Sequence, residues 1–142
     1  MSWRTVGRAI LEGGITARMQ LTHKLSINEG VTISVDSTSN RGNNYESAKF
    51  QHHFPDYKQN PLYVDPTSTP RICHSGVESI LDHSSQQAVA GWKHCVEANA
   101  KVFNESPLAA CLGKKFTFRL VLHILKGMNG DHARWRNRPV MA

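Results

Sequence analysis

Histidine, cysteine and aspartate side chains occur through the middle of the chain, and these residue types can bind zinc or act in acid–base and nucleophilic catalysis. The set comprises His52, His53, Asp56, Cys73, His74, His83, His94 and Cys95. Their spacing favours neither chemistry, because no HExxH, CxxC or HxxxH arrangement occurs and adjacent side chains point apart in regular structure. We therefore predict no catalytic residue, no metal site and no cofactor, and keep a small His/Cys-dependent or metal-dependent enzyme as an alternative.

Other signatures of catalysis are also missing from the sequence. It contains no phosphate-binding loop, no GxGxxG, no GxSxG and no kinase motif. The three cysteines are an odd number without a CxxC pair, which favours a reduced environment over a disulfide framework. The sequence therefore predicts a protein that is not an enzyme.

The segment 43–76 combines spaced aromatic residues with prolines and has almost no apolar periodicity. Its prolines fix the backbone and remove hydrogen-bond donors, which disfavours a regular helix or central strand. A long irregular segment that is rich in aromatic residues suits docking on another protein, since such side chains dominate contact energetics. The predicted partner-binding residues in this segment are Tyr45, Phe50, Phe54, Tyr57 and Tyr63.

The C-terminal residues 129–142 form a predicted basic tail in which arginines alternate with a tryptophan. Its partner-binding candidates are Arg134, Trp135, Arg136 and Arg138. Arginine forks bind phosphates and stack on bases, so the tail is the best nucleic-acid candidate in the chain. An acidic protein surface is an equally suitable partner, and a solvated terminus without a ligand is the simplest alternative.

Charge and hydropathy limit the classes of partner. The 142-residue chain has 17 Lys and Arg against 11 Asp and Glu, a formal net charge of +6 that favours anionic partners such as RNA, acidic proteins or an anionic lipid surface. The longest apolar stretch, residues 116–128, is too short for a membrane span and carries Arg119, His123 and Lys126. We therefore predict no transmembrane span.

Residues 1–23 are predicted to form a basic N-terminal helical segment. Arg4 and Arg8 lie one turn apart, while Trp3, Val6 and Ile10 share another side of the helix. Basic amphipathic segments of this kind are typical of mitochondrial targeting sequences, and an ordinary surface helix is the alternative. The predicted location is accordingly mitochondrial, or otherwise cytoplasmic.

Alternating apolar residues predict a β-hairpin over residues 24–36. Ile27 would face Val31, and Leu25 would face Ile33, across a three-residue turn that ends at Gly30. The same alternation also fits one long strand. The run of small polar residues that follows, 37–44, predicts the flexible start of a long loop, 37–74.

The second half of the chain reads as helices followed by a strand. Capping signals predict helix starts at Ser75 with Glu78 and at Ser84 with Gln87, and Ser106 followed by Pro107 predicts a short helix that ends at Gly113. The apolar stripe of the second helix consists of Ala88, Trp92, Cys95, Val96, Asn99 and Phe103. Residues 115–125 alternate with a period of two and predict a strand, with a helix as the alternative.

These readings combine into an α+β prediction with a small antiparallel sheet, formed by the hairpin 24–36 and the strand 115–125, against two or three helices. The single domain would span 24–128, with the helical segment 1–23 before it and the basic tail 129–142 after it. The predicted function is a non-enzymatic structural or accessory subunit of a large mitochondrial assembly, of respiratory-chain or ribosome type, that holds neighbouring protein subunits through extended segments. An RNA-binding or ribosomal protein that uses the basic tail is a further alternative.

Overall fold

The fold consists of one four-stranded sheet with helices against one of its faces. A computed structural model describes residues 2–55, 58–60, 62–81 and 84–130. In chain order the elements are α1 (Trp3–Ser26), β1 (Val31–Asn40), β2 (Asn43–His52), β3 (Arg71–Ile80), α2 (Ser85–Asn104), α3 (Pro107–Leu112), α4 (Phe118–Ile124) and β4 (Leu125–Gly130). The predicted α+β class is confirmed.

The sheet is mixed, where the sequence predicted an antiparallel one. Its strand order is β3-β2-β1-β4. The first three strands form an antiparallel meander, while β4 returns through three helices and lies parallel to β1. A parallel neighbour requires a long crossover, and α2 to α4 provide it.

The core lies between the sheet and the helices. Strands β1 and β2 contribute alternate apolar residues to this face, and the helices contribute apolar stripes. The largest fully buried side chains in this core are Phe50, Phe103, Phe116, Val31 and Val121. The opposite face of the sheet carries no described helix and is largely polar.

The predicted hairpin 24–36 is wrong in its first half. Residues 24–26 belong to α1, and the chain enters the sheet only at Val31. Leu21 and Leu25 are both buried, and their spacing of four residues places them on one side of a helix. The alternation of Val31, Ile33 and Val35 is real, but Leu25 does not belong to it.

The predicted loop 37–74 is wrong at both of its ends, which form strands. Residues 37–52 belong to the observed hairpin of β1 and β2. Its turn lies at Arg41 and Gly42, whose φ angles of 51° and 81° match a two-residue hairpin turn with left-handed central residues. Only residues 53–70 remain irregular among those described, and Pro55, Pro66 and Pro70 fall there. The serines and threonines of β1 are compatible with a strand whose outer face is exposed.

The helix predicted to start at Ser75 and Glu78 is also wrong. Both residues lie in β3, where Glu78 pairs with Glu46 of β2 and Ser75 is the extra residue of an irregularity in the pairing. The next start is confirmed, since the Ser84 side chain accepts a hydrogen bond from the Gln87 backbone N–H at the beginning of α2. Pairing with β2 overrides the local capping signal.

The strand predicted over residues 115–125 is replaced by a helix and a later strand. Thr117 caps α4 by accepting from the Leu120 backbone N–H, and Val121 and Ile124 are buried at helical spacing. The strand β4 begins only at Leu125. The short helix α3 is confirmed, with Ser106 as its cap and Gly113 in the left-handed conformation at its end.

Candidate functional site

The helix α1 divides into a buried end and an exposed arm. Leu21, Thr22 and Leu25 are buried against the rest of the protein. Residues 3–20, which we call the arm, are exposed, except that Val6 and Met19 are half-buried. The arm comprises 18 of the 24 residues of α1, a length of about 27 Å at about 1.5 Å per residue.

The arm carries exposed apolar residues and basic residues. Trp3 and Ile10, which are 90% and 71% exposed, lie seven residues apart and therefore nearly above one another on the helix. Arg8 on the other side bonds to Glu12 through Nε and Oε1 at 2.8 Å. An exposed tryptophan and isoleucine on one helix side form an apolar surface that no described residue covers.

The predicted aromatic residues do not form one surface. Phe50 is only 2% exposed and packs in the core, so its side chain is not part of an exposed surface. Tyr45 is half-buried on the open face of β2, and Tyr63 is 60% exposed in the irregular segment. The other predicted partner-binding residues, apart from Phe54, lie outside the described residues: they are Tyr57, Arg134, Trp135, Arg136 and Arg138.

Phe54 is half-buried beside the end of α1 and combines with charged neighbours. Its ring stacks on the His52 imidazole with centroids 4.8 Å apart. The Lys24 Nζ atom lies 4.1 Å from the ring centroid, and the Arg71 guanidinium carbon lies 5.4 Å from it. Phe54 thus joins α1, β2 and β3 through cation–π contacts within the protein.

A cleft of about 900 Å³ lies at the end of the sheet where the irregular segment folds back. We call it the loop cleft. Residues 27–32 form one wall, and Leu62, Tyr63 and Val64 contribute to the other. His52 and His53 line the cleft, so two of the histidines noted in the sequence meet there, and Lys126 of β4 stands beside Gly30.

A buried hydrogen-bond network fixes the floor of the loop cleft. Asn28 donates its two amide hydrogens to the carbonyl oxygens of Lys24 and His53, at 2.7 and 3.0 Å. The Nδ1 atom of His52 lies 2.9 Å from the same His53 carbonyl. A carbonyl oxygen only accepts, so Nδ1 carries the hydrogen.

The second ring nitrogen of His52 is left as an acceptor. His52 is 1% exposed, and its Nε2 atom has no hydrogen-bond partner among the residues described. Burial lowers the pKa of His52 below 6.5, although the bond to the His53 carbonyl acts in the opposite direction and Lys24 adds to the lowering. The imidazole is therefore neutral at neutral pH.

The open face of the sheet holds a second cleft, of about 460 Å³, which we call the sheet cleft. Ser34 and Asp36 of β1 line it together with Lys49 of β2 and Asn129 of β4. Val35 pairs with Gly130, so Asp36 stands beside the carboxyl end of the parallel strand. Asp36 is not among the residues predicted from the sequence, although its place in the alternation of β1 assigns it to the polar face.

The cysteine and histidine candidates do not converge. Cys95 is buried between α2 and β3, where its Sγ atom lies 2.9 Å from the Ser75 hydroxyl, and burial raises the pKa of its thiol. Cys73 is half-buried opposite Phe50, and His74 and His94 are exposed. Asp56 and His83 lie outside the described residues, and within the described ranges no three His, Cys, Asp or Glu side chains come together as a metal-binding group.

Comparison with known proteins finds no relative of this chain. No protein-family model, no curated protein and no solved structure matches it. Among the helices that the structure describes, including the 24-residue α1, none has the length and apolarity that a bilayer crossing requires.

Proposed function

We propose that this protein is a non-enzymatic accessory subunit of a multiprotein assembly and that the arm is its docking element. The observation that carries the proposal is the exposure of Trp3 and Ile10 on one side of a helix whose other end is anchored in the core. An apolar helix side with spaced anchors is the usual form in which a helix lies in a groove of another protein.

The basic residues of the arm indicate that its partner is acidic. Arg4, Arg8 and Arg18 outnumber Glu12, the one acid between residues 3 and 20. A partner groove with an apolar floor and acidic rims would match the apolar residues and the arginines of the arm. The rim charges would affect the association rate more than the final affinity. A mitochondrial assembly is the proposed setting, since basic amphipathic helices are typical of proteins directed there.

A matched pair of substitutions tests the docking role. Ile10→Asp places a charge on the apolar side of the arm, while Thr16→Asp places the same charge on another side of the same exposed helix. The tagged full chain would be purified natively from its source at low and high salt, with mass spectrometry of stoichiometric partners. We expect Ile10→Asp to lose the partner and Thr16→Asp to keep it; equal retention by both variants would remove the arm from the proposal.

A second candidate function is a metal-dependent enzyme that acts on a phosphate ester in the sheet cleft. Carboxylate, amide and hydroxyl oxygens, such as those of Asp36, Asn129 and Ser34, are ligands that Mg²⁺ and Mn²⁺ accept. Lys49 on the neighbouring strand supplies a positive charge for an anionic substrate. Clefts at the carboxyl ends of parallel strands are common ligand sites.

Calorimetric titration with Mn²⁺ separates this candidate from the accessory subunit. If the sheet cleft is a metal site, Asp36→Asn will weaken Mn²⁺ binding by at least about tenfold, as expected for the loss of a charged ligand. Asp65→Asn, which removes an exposed carboxylate far along the chain, will leave binding unchanged. Absence of saturable Mn²⁺ binding to the unsubstituted chain would reject the enzyme. RNA binding through the tail, the third alternative, concerns residues outside those described.

A further inference from the structure

We propose that the loop cleft binds a small apolar monocarboxylate, with the carboxylate on Lys126 and the apolar body against the irregular segment. The proposal concerns a different part of the protein from the arm and goes beyond the accessory role. It rests on the size of the cleft, the chemistry of its walls and the position of one lysine.

Size and wall chemistry fit a small organic ligand. The volume of about 900 Å³ lies within the range of about 300–1,000 Å³ that is typical of ligand sites. Leu62 and Tyr63 are 56% and 60% exposed although both line the cleft, and Pro66 and Pro70 extend the same wall. An apolar ligand body would cover side chains that otherwise face water, and such burial is favourable because it removes apolar surface from water.

The floor of the cleft is preformed. Asn28 ties the end of α1 to the backbone of His53, so the first residue of the irregular segment is fixed relative to residues 27–32. His53 in turn contacts Ser68, with 3.1 Å between Nδ1 and Oγ, and this contact holds the far side of the segment. A wall held at both ends loses little conformational entropy when a ligand binds.

Lys126 supplies the charge that selects an anion. It lines the cleft, and it makes no ion pair with any residue in the described part of the chain. Glu29 also lines the cleft and, like Lys126, is exposed, so solvent screens its repulsion of a carboxylate that lies in direct contact with the lysine. The buried polar groups His52 and Asn28 bring no negative charge, since the imidazole is neutral and the amide is uncharged.

Gly30 determines where the lysine lies. A Cβ atom at this position would stand 3.2 Å from Lys126 Cγ and 3.6 Å from Cε. The absence of a side chain therefore lets the lysine stem lie along the turn between α1 and β1. Gly30→Ala would displace the stem without altering any charge, which separates the position of the lysine from its mere presence.

The test uses 4-phenylbutyrate as a probe and 4-phenylbutanol as its uncharged match, with affinity from calorimetry and location from backbone amide NMR shifts. We expect saturable binding that shifts Gly30, Gly127 and the residues around Tyr63, with the acid bound at least about tenfold tighter than the alcohol, as a charge-assisted hydrogen bond provides. Lys126→Gln should abolish the preference, Gly30→Ala should reduce it, and Lys115→Gln, at an exposed lysine outside the cleft, should leave it unchanged.

Each contrary result overturns the assignment. Equal affinity for the alcohol and the acid would show that no cation selects the ligand. Preference retained in Lys126→Gln would place the carboxylate elsewhere, and shifts confined to other parts of the sheet would exclude the loop cleft. Glu29→Gln supplies a gain-of-function check, since removal of a solvent-screened repulsion should tighten acid binding by about twofold.

Discussion

The two parts of α1 have similar helical structure but different surroundings. Its last turns carry Leu21, Thr22 and Leu25, which are buried against α2 and the sheet. Its first part, the arm, has Trp3 and Ile10 in solvent. A helix that packs over only its final turns is anchored at one end, and its remaining length is free to meet another surface.

The difference shows how the sequence distributes stability. Isolated helices are marginal in water, so packing at one end has to hold the helix while propensity and capping maintain the rest. The arm contains Gly7, Gly13 and Gly14, each of which lowers helix stability by about 1 kcal/mol relative to alanine. A helix with such a weak exposed part gains most when a partner covers it.

The largest expected effect comes from a matched pair of leucines in this helix. Leu25→Ala removes a side chain that is 3% exposed, and we expect the free energy of unfolding to fall by about 2–5 kcal/mol. Leu11→Ala removes one that is 65% exposed, and we expect a change within about 0.5 kcal/mol. Urea unfolding followed by circular dichroism measures both, and similar losses would mean that the arm is packed in solution.

A pair of threonines sharpens the same comparison with a smaller effect. The Thr22 hydroxyl donates to the Arg18 carbonyl at 2.9 Å and lies 3.4 Å from the Asn99 carbonyl of α2, in a fully buried position. The Thr16 hydroxyl donates to the Glu12 carbonyl at 2.9 Å in an exposed position. We expect Thr22→Ala to cost about 1–3 kcal/mol through lost packing and hydrogen bonding, and Thr16→Ala to be close to neutral. Chemical denaturation of the two variants at one pH would contradict this if Thr16→Ala were the costlier change.

His52 of β2, which lies against the buried end of α1, should make the stability of the fold depend on pH. His52 lies against Lys24 of α1 and Asn28 of the following turn, with His53 beside it. Arg71 of β3 pairs with His52 in the sheet and lies 5.4 Å from the centroid of the Phe54 ring. Burial lowers the pKa of His52 from 6.5, so the unfolded chain binds the proton more readily than the folded one. Stability should therefore be full above 6.5 and decrease as the pH falls below that value.

Substitution of His52 isolates this contribution. His52→Gln should reduce the dependence of stability on pH below neutrality, measured from urea midpoints at several pH values, whatever it does to stability itself. The pKa of His23 in α1 is also lowered, chiefly by burial and then by Lys114 and Lys24. His23 will therefore leave a residual dependence of stability on pH in the His52→Gln variant. His94→Gln on the exposed side of α2 is the matched control. An unchanged slope in His52→Gln would mean that the ring is not buried in the neutral form.

Local patterns predicted much of the fold, and long-range pairing accounts for the errors. Val31, Ile33 and Val35 form a strand because alternation directly reports a half-buried sheet. Leu25 and Ile27 continue the same odd-numbered pattern, yet the four-residue spacing of Leu21 and Leu25 carries the helical signal. Residues 125–130, LKGMNG, have weak strand propensity, and only the parallel partner β1 makes them a strand.

The candidate sites were less accessible from the sequence. His52 and His53 were noted, but the loop cleft also requires Lys126, which joins it only because β4 lies beside β1. Asn28 acquires its role from the backbone of His53, a contact across 25 residues of sequence. Asp36 is the exception, because alternation along β1 already assigns it to the polar face and an acid there is a signal that can be read directly.

The smallest expected effect concerns the ion pair between Arg8 and Glu12 on the arm. The Nε–Oε1 distance is 2.8 Å, but the two side chains are 82% and 64% exposed, so water and salt screen the attraction. Arg8→Gln should change the free energy of unfolding by less than about 0.5 kcal/mol, because exposed pairs at this spacing contribute little.

The comparable pair Lys93–Glu97 on α2, at 3.9 Å, provides the matched variant Lys93→Gln on a helix that packs along its length. A clear stability loss in Arg8→Gln without one in Lys93→Gln would show that the arm contributes to the fold itself. An unchanged free energy of unfolding together with a weakened native complex would show that Arg8 acts in partner binding.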